Sequence, residues 1–252
     1  MLAVEGVTKA FEGVLALDEV SLEVAAHSIT ALVGPNGAGK TTLFNIVAGS
    51  YPPTRGTVRF EGRVLDGVPA HARVRLGIGR TFQNALLFDH MTVLENVMVG
   101  RHIHGRAGMV AAALRLPRMR AEEERLYLDG MKYLNLVGLG QRAQMLAGSL
   151  PFGQQRLVAI ARALATEPRL LLMDEPAAGL NALEKLDLAD LIRRIQEMGI
   201  TVLLIEHDVP LVMRLAEWVV VLDHGRKLAE GTPEQVRRDR KVLAAYLGEG
   251  AT

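Results

Sequence analysis

The chain contains no cysteine among its 252 residues, so disulfide bonds and thiolate metal sites are excluded. It has little net charge, because 29 basic residues face 28 acidic ones, and nothing drives the chain as a whole toward nucleic acid. No apolar run approaches the roughly 18 residues that span a bilayer, and the start lacks the basic and apolar regions of a signal peptide. We therefore expect any work at a membrane to depend on a membrane part supplied by another chain.

Hydrophobic residues are abundant instead: they make up 49% of the chain, which is enough for a sizeable core. In the second half, short apolar runs typical of strands occur at 169–173, 201–205 and 218–222. Helical patterns lie between them, at 182–198 and 208–215. Strands that alternate with helices of this length predict βαβ units and a parallel sheet.

The first half of the chain combines two other patterns. Short strands are predicted at 2–8, 20–24 and 57–60, with a turn near Glu12-Gly13 between the first two, which favours a small antiparallel sheet. From about residue 90 the pattern becomes helical, and helices are predicted at 92–99, 121–137 and 153–165. The first of these opens with a possible Thr92/Glu95 capping box. A helical block thus interrupts the α/β core.

A phosphate-binding loop is the most specific motif of the sequence. The pattern G-x-x-x-x-G-K-[ST] is matched by consecutive residues that we call the P-loop: Gly34, Pro35, Asn36, Gly37, Ala38, Gly39, Lys40, Thr41 and Thr42. An apolar run at 29–33 predicts a strand before it, and 42–48 predicts a helix after it. Glycines let successive N–H groups turn into one concavity, and the helix start adds partial positive charge. Lys40 is then expected to reach the phosphates, and the Thr41 hydroxyl to hold Mg²⁺.

Carboxylates follow a second apolar strand. Leu170–Met173 is followed by Asp174 and Glu175, and ligands bind at the carboxyl ends of parallel strands. Asp174 is expected to hold Mg²⁺ together with Thr41, and Glu175 to accept a proton from the attacking water. The alternative is that the acidic pair merely caps the next helix.

A histidine closes the next strand in the same way, because His207 follows the run at 201–205. At this edge of the sheet it is placed to contact a γ-phosphate, although a lone histidine at a strand end is more often structural.

Two further stretches are weaker signals on their own. Gln83 follows a predicted strand at 78–82, and its amide could accept from a water, ligate Mg²⁺ or relay movement from the helical block. The run 149–156 precedes a strong helix, with Pro151 at a first-turn position and the Gly153 N–H open to an anion. The alternative for that run is an ordinary capped helix.

Together these motifs resemble the nucleotide-binding subunit of an ABC transporter, over roughly residues 2–247. The matching features are the P-loop, Gln83, the signature stretch Leu150-Pro151-Phe152-Gly153-Gln154, the strand end Asp174-Glu175, the D-loop Ala178-Gly179-Leu180-Asn181, and His207. More narrowly, the chain is similar to the branched-chain amino-acid import ATPases. The features behind this are 82–84, 91–97, the insertion after Gly100, 174–181 and the tail at 244–248. The lipopolysaccharide-export ATPase has a similar tail.

The resemblance implies one domain over 1–252: an α/β P-loop NTPase (RecA-like) core with a parallel sheet, an N-terminal antiparallel β subdomain, and an inserted helical subdomain at about 84–165. It implies an ATPase that binds ATP and Mg²⁺. The implied ligands of Mg²⁺, direct or through water, are Thr41, Gln83 and Asp174. Glu175 would polarise the water, His207 would contact the γ-phosphate, and Phe11 would stack on adenine.

The resemblance also implies partners. Leu150, Gly153 and Gln154 would press on ATP bound to a second nucleotide-binding subunit, so that two chains enclose two ATPs. Membrane permease subunits and a solute-binding protein would complete an importer, with this chain at the cytoplasmic face of the membrane and no nucleic-acid partner. The alternatives are an export ATPase of the lipopolysaccharide type, a soluble ABC ATPase, and a P-loop kinase, which would need neither the signature stretch nor His207.

Three features depart from the usual pattern of that family or stand outside it. Leu-Pro-Phe-Gly-Gln replaces the common Leu-Ser-Gly-Gly-Gln, so Pro151 offers neither a hydroxyl nor an N–H to a phosphate. The D-loop ends in Asn181 where aspartate is usual. The insertion from Gly100 to Arg120 carries arginines and no acid, and it is either a solvated hairpin or a contact to a membrane subunit or to anionic lipid.

Overall fold

The computed structural model describes residues 1–82, 86–101 and 117–247, and the chain divides into two units. The first unit comprises Met1–Ile78 and Arg169–Thr252, and the second comprises Gly79–Pro168. The helical block expected at about 84–165 falls within the second unit.

A small antiparallel sheet opens the first unit. Its strands are β1 (Leu2–Phe11), β2 (Val14–Val24), β4 (Arg55–Phe60) and β5 (Arg63–Val64), in the order β2-β1-β4-β5. The predicted turn is confirmed, with Glu12 at φ 46° and Gly13 at φ 89°. The first two strands are longer than predicted, because register shifts between Val4 and Ala10 interrupt the alternation of apolar and polar residues on which the prediction relied.

The larger sheet carries the P-loop. Its strands are β3 (Ile29–Val33), β6 (Ile78–Arg80), β7 (Leu170–Asp174), β8 (Thr201–Ile205), β9 (Trp218–Asp223) and β10 (Arg226–Gly231), in the order β10-β9-β3-β8-β7-β6. Strand β3 pairs in parallel with β8 and β9, and β7 pairs in parallel with β8, so the parallel sheet is confirmed for these strands.

One strand of this sheet runs the other way. Strand β10 pairs antiparallel with β9 through the turn at His224-Gly225. The sequence prediction missed it because Arg226–Gly231 has few apolar residues and only Gly231 is buried. Strand β6 is shorter than the predicted 78–82 and ends at Arg80.

The described part of the first unit contains six helices. They are α1 (Lys40–Ala48), α2 (Ala70–Arg75), α6 (Ala182–Glu197), α7 (Val209–Leu215), α8 (Pro233–Arg238) and α9 (Arg240–Leu247). Asn181 caps α6 in a capping box with Glu184, and Asp208 caps α7. Both sheets share one hydrophobic core with α1, in which Phe44 is the largest fully buried side chain.

The second unit contains α3 (Val93–Arg101), α4 (Pro117–Leu136) and α5 (Phe152–Leu164). The predicted capping box of α3 is confirmed: Thr92 Oγ1 accepts from the Glu95 N–H at 3.1 Å, and Glu95 Oε2 accepts from the Thr92 N–H at 2.7 Å. Helices α3 and α5 approach closely at Gly100, where a Cβ would lie 2.2 Å from the Arg162 carbonyl oxygen. In the described part of the chain, no helix is long and apolar enough to cross a bilayer.

Candidate functional site

The P-loop needs glycine at two positions because of its backbone. Gly34 has φ +150°, and a Cβ there would lie 2.1 Å from the Leu222 carbonyl oxygen. Gly39 has φ +93°, and a Cβ there would lie 2.6 Å from the Ala16 carbonyl oxygen. Any side chain would therefore force the loop away from β9 or β2, and the curled path that turns N–H groups inward would be lost.

Helix α1 starts at the P-loop without a side-chain cap. Its N-cap is Gly39 in the left-handed conformation, which forms no side-chain cap. The helix dipole favours an anion at this end. Thr41 lies exposed in the first turn. Lys40 is 92% buried, and its Nζ donates to the carbonyl oxygens of Gly34 and Pro35, both at 2.7 Å.

The opposite end of α1 is held by a buried arginine. Arg73 Nη1 donates to the Ile46 and Val47 carbonyls at 2.6 and 2.9 Å, in the last turn of the helix. Its remaining nitrogens donate to the Leu65 and Val68 carbonyls, both at 2.8 Å. Burial lowers the pKa of Arg73 from its ordinary value, but a guanidinium stays charged at neutral pH. A cation at the C-terminal end matches the helix dipole.

The acidic pair lies at the carboxyl end of the sheet, as predicted. All of β7 is buried, and its last residue, Asp174, is only 6% exposed. The pairing of β7 with β8 continues one residue further, since the Glu175 N–H donates to the Ile205 carbonyl at 3.0 Å. Glu175 has φ +45°, which is unusual for a residue other than glycine and is typical of functional sites.

The structure brings Glu175 and His207 together. His207 Nδ1 lies 3.8 Å from Glu175 Oε1, which is longer than a direct hydrogen bond. The histidine side chain is 62% exposed and the glutamate side chain 24% exposed. Two groups able to exchange or hold a proton therefore face each other at the edge of the sheet, open to a ligand.

A buried glutamate lies behind this pair, and the sequence analysis missed it. Glu206 is 0% exposed, and its Oε1 accepts from the Ala177 N–H at 2.9 Å. Its Oε2 accepts from the N–H groups of His207 and Asp208, at 3.1 and 3.4 Å. Burial raises the pKa of Glu206 above its ordinary value, against the effect of these three N–H donors. The sequence carried one signal, an acidic residue placed directly after the apolar run Val202–Ile205.

Asp208 extends the network to helix α6. Its Oδ2 lies 2.5 Å from Lys185 Nζ, and its Oδ1 accepts from the Leu211 N–H at 3.0 Å. The bond from Lys185 holds the pKa of Asp208 below its ordinary value. The segment that carries His207 is thus attached to both α6 and α7.

The signature stretch has a different construction, in the second unit. Pro151 is the N-cap of α5 with ψ 149°, so the helix starts at Phe152 and the predicted first-turn position of Pro151 is wrong by one residue. Pro151 forms no side-chain cap at this helix start, and the binding of an anion by the Gly153 N–H stays a prediction. Leu150 is buried.

Side chains within the second unit brace the signature stretch. The Gln154 side-chain oxygen accepts from Arg142 at 2.5 Å. The Arg156 guanidinium lies 4.8 Å from the centre of the Phe152 ring, within the range of a cation–π contact. The sequence analysis named Gln154 but missed Arg142, which lies in a short 3₁₀ turn with no motif of its own.

Phe11 ends β1 and is 41% exposed. Its ring meets Tyr51 edge-on at 5.3 Å, and Lys9 Nζ lies 4.9 and 5.0 Å from the two ring centres. An exposed ring of this kind can accept a stacked base, and its contact with adenine stays a prediction. Gln83 lies outside the described residues, so its roles stay predictions too.

The side chains present fit Mg²⁺ held jointly with phosphates. A hydroxyl (Thr41) and a carboxylate (Asp174) are the hard oxygen donors that Mg²⁺ takes, usually with substrate phosphates and water. No group of three or more His, Cys, Asp or Glu side chains that could hold a metal alone occurs among the described residues.

Comparison with known families matches the chain in two places. Residues 17–178 match the model of the ABC transporter family, and residues 226–252 match that of the branched-chain amino acid ATP-binding cassette transporter. The chain is 45% identical over 250 residues to the high-affinity branched-chain amino acid transport ATP-binding protein BraF of Pseudomonas aeruginosa, covering 99% of this chain and 98% of that protein. It is 42% identical, with the same coverage, to LivG of Escherichia coli, which bears the same description. Identity to the lipopolysaccharide export system ATP-binding protein LptB of E. coli is 33%, over 98% of this chain and 97% of that protein.

Solved structures agree with the fold. The ADP conformation of MJ1267, an ATP-binding cassette of an ABC transporter, superposes with TM-score 0.86 at 33% identity, covering 98% of each chain. The dimeric structure of MJ0796, a bacterial ABC transporter cassette, superposes with TM-score 0.80 at 26% identity, covering 92% of this chain and 99% of that one. The P-loop NTPase fold predicted from the sequence is thus confirmed.

Proposed function

The chain belongs to the ABC transporter family of ATP-binding proteins, and we propose that it powers the import of branched-chain or related amino acids. As a member of that family it is an ATPase. The observation that carries the choice of solute is the match of residues 226–252 to the branched-chain amino acid cassette. Identities of 45% and 42% to BraF and LivG support it over nearly the whole chain.

Binding of ATP is assigned to the P-loop. Its inward N–H groups and the uncapped start of α1 would hold the phosphates, and Lys40 would exchange its two carbonyl partners for phosphate oxygens. Phe11 would stack on the adenine. Thr41 and Asp174, with Gln83, would hold Mg²⁺, which when bound neutralises charge on the phosphates.

Hydrolysis is assigned to the residues at the carboxyl edge of the sheet. Glu175 would accept a proton from the water that attacks the γ-phosphate. His207, 3.8 Å from Glu175 and largely exposed, would donate to a γ-phosphate oxygen and so orient it for attack. The products are ADP and phosphate.

A second nucleotide-binding subunit would complete the site. Leu150, Gly153 and Gln154 at the start of α5 would close on ATP bound to the other subunit, as the uncapped helix start allows. Membrane permeases and a solute-binding protein are the further partners we propose, with the chain peripheral at the cytoplasmic face of the membrane.

Export of lipopolysaccharide is the alternative function. Its support is the 33% identity of the chain to LptB. The lower identity and the C-terminal match at 226–252 both favour amino-acid import.

The test is transport by the assembled system. The chain would be co-expressed with candidate permease subunits from the same genome, and the complex reconstituted into liposomes with a candidate solute-binding protein. We expect ATP-dependent uptake of radiolabelled leucine or a related amino acid, and no uptake with Glu175→Gln in place of the native chain.

Two results would decide against the proposal. Uptake of none of the branched-chain amino acids by a complex that hydrolyses ATP would exclude the proposed solute. Stimulation of the ATPase by lipopolysaccharide instead would favour the export alternative.

A further inference from the structure

Glu206 has a buried carboxylate that bonds to two separate segments of the site. Through Oε1 it holds the Ala177 N–H, two residues after Glu175, and through Oε2 it holds the N–H groups of His207 and Asp208. Its side chain thus joins the loop that carries Glu175 to the segment that carries His207. Neither segment is otherwise confined to a strand or helix at these positions.

We propose that Glu206 is a positioning residue for ATP hydrolysis, which sets the geometry between Glu175 and His207. The inference rests on the roles given to those two residues under the proposed function. Glu206 is fully buried and cannot touch ATP or water itself; it acts through the backbone of the residues that do.

The chemistry of the position explains why a carboxylate is needed. Three N–H donors converge on one side chain, and a carboxylate offers two oxygens that both accept. A glutamine side chain has only one accepting oxygen, and its NH₂ group would face a backbone N–H that is itself a donor. An apolar residue would leave three N–H groups without this acceptor, and the cost would be largest for the buried N–H of Ala177.

The segment that carries His207 is also held by contacts that do not involve Glu206. Asp208 bonds to Lys185 on α6 and caps α7. The far side of His207 is therefore anchored independently of Glu206, while Ala177 is joined to it through Glu206. The Glu175 N–H stays bonded to the Ile205 carbonyl, so loss of the carboxylate should release the loop at Ala177. We expect this to change the orientation of the Glu175 side chain relative to His207 without unfolding the unit.

The main experiment compares Glu206→Gln with a matched control on the same strand. Thr201, at the opposite end of β8, is also 0% exposed, and its hydroxyl accepts from the His27 N–H at 2.8 Å. Thr201→Val removes a buried acceptor from a backbone N–H far along the strand from Glu175. For both variants, kcat, KM, the Kd of a fluorescent ATP analogue and the thermal midpoint would be measured.

We expect Glu206→Gln to lower kcat by about 10- to 100-fold, the range that a small misplacement of catalytic groups produces. The Kd for nucleotide should stay within about twofold, because the P-loop is untouched and the lost interaction acts in the transition state. Thr201→Val should lower the thermal midpoint but leave kcat unchanged. A drop in thermal midpoint with Glu206→Gln and no change in kcat would overturn the proposal.

A double-mutant cycle then separates positioning from general weakening. If Glu206 acts through His207, the fall in kcat caused by Glu206→Gln should largely disappear in a His207→Ala background. Full additivity of the two effects would contradict the inference. If His207→Ala and Glu175→Gln themselves leave kcat unchanged, the assigned catalytic roles fail, which is a different result from failure of Glu206 alone.

A second variant covers the case in which Glu206→Gln does not fold. Glu206→Asp keeps the charge, and its shorter side chain can still serve the neighbouring His207 and Asp208 N–H groups but not that of Ala177. We expect a folded protein with reduced kcat and unchanged nucleotide affinity. Wild-type kcat in Glu206→Asp would show that the link to Ala177 does not matter and would overturn the proposal.

Discussion

The P-loop and the signature stretch are both helix starts without a side-chain cap, but they are built differently. The P-loop follows β3, whose residues are all buried, and its glycines press against the backbone of neighbouring strands. The signature stretch follows a short 3₁₀ turn and begins with a proline, and Phe152 is 49% exposed. The first is fixed by the core of its unit, and the second depends on braces from Arg142 and Arg156.

The two constructions predict a different tolerance to amino-acid substitution in the P-loop and in the signature stretch. A loop held by strand backbones can bind phosphate within one chain, and substitutions there remove function outright. A helix start on the surface of the other unit would tolerate substitution better, because under the proposed function a changed side chain would alter a contact with a partner subunit and leave the core intact. The replacement of Ser-Gly by Pro151-Phe152 is consistent with that tolerance.

The largest effect is expected at the acidic edge. Glu175→Gln removes the proposed general base, and kcat should fall by about 10²- to 10⁴-fold while ATP still binds. Steady-state ATPase assays and a nucleotide-binding titration would measure both. Glu197→Gln, the same change at an exposed position on α6, is the control and should be neutral; retained kcat in Glu175→Gln would refute the assigned role.

The next effect concerns the signature stretch. Pro151→Ser restores a hydroxyl and an N–H at the N-cap, and donors to a charged group are worth about 1.5–3 kcal/mol where the contact is made. We expect the ATP-dependent dimer to become about 10- to 100-fold tighter, measured by sedimentation in a Glu175→Gln background. Pro151→Ala, which restores only the N–H, should give a smaller gain. An unchanged dimer affinity in both would show that this helix start does not meet ATP in the partner.

A smaller effect is expected at the D-loop. The Asn181 side chain accepts from the N–H groups of Leu183 and Glu184, both at 3.0 Å, and so caps α6. Asn181→Ala should cost about 1 kcal/mol of unfolding free energy, the usual value of an N-cap, as measured by urea denaturation. Asn181→Asp keeps the cap and should be near wild type in stability; equal losses in both variants would mean that the cap is not the cause.

The smallest effect is electrostatic and depends on pH. Lys185 lowers the pKa of Asp208 from 3.8. A carboxyl with a lowered folded pKa adds stability that is complete above the unfolded value and is lost as the pH falls through the folded one. Lys185→Met should therefore have a lower thermal midpoint than wild type at pH 7. The difference between the two thermal midpoints, which we call the gap, should become smaller below about pH 4.

Scanning calorimetry from pH 7 to pH 3 would check this, with Lys241→Met as a control at an exposed position. The raised pKa of Glu206 has the opposite dependence: the stability that it gives below its unfolded pKa is lost as the pH rises. Lys185 also attracts the Glu206 carboxylate, so its removal acts on Glu206 in the same direction as on Asp208. A gap that stays constant with pH would argue against the Lys185–Asp208 pair as its source.

The sequence was sufficient for features that depend on local pattern. The P-loop, the Asp174-Glu175 strand end and the Thr92/Glu95 capping box each rest on residues a few positions apart, and all were found. The apolar runs of β7, β8 and β9 predicted the parallel part of the sheet for the same reason, since buried strands are apolar throughout.

The features that were missed depend on contacts between distant residues. Strand β10 has few apolar residues and is recognised by its pairing with β9. The role of Glu206 depends on its hydrogen bond with the Ala177 N–H, which lies 29 positions away in the chain and gives no local sequence signal. The role of Arg142 is likewise apparent only from its hydrogen bond to Gln154 in the structure.

The buried Arg73 has a consequence for the energetics of nucleotide release. Helix α1 comprises only nine residues, and so short a helix tends to fray in water. With its last carbonyls held by a guanidinium, the C-terminal turn of the helix keeps its hydrogen bonds when the phosphates leave, and we expect the empty loop to stay folded for the next ATP. Each cycle of the ATPase then begins from a preformed anion site, and the entropy of ordering the helix is lost once, during folding, rather than at every turnover.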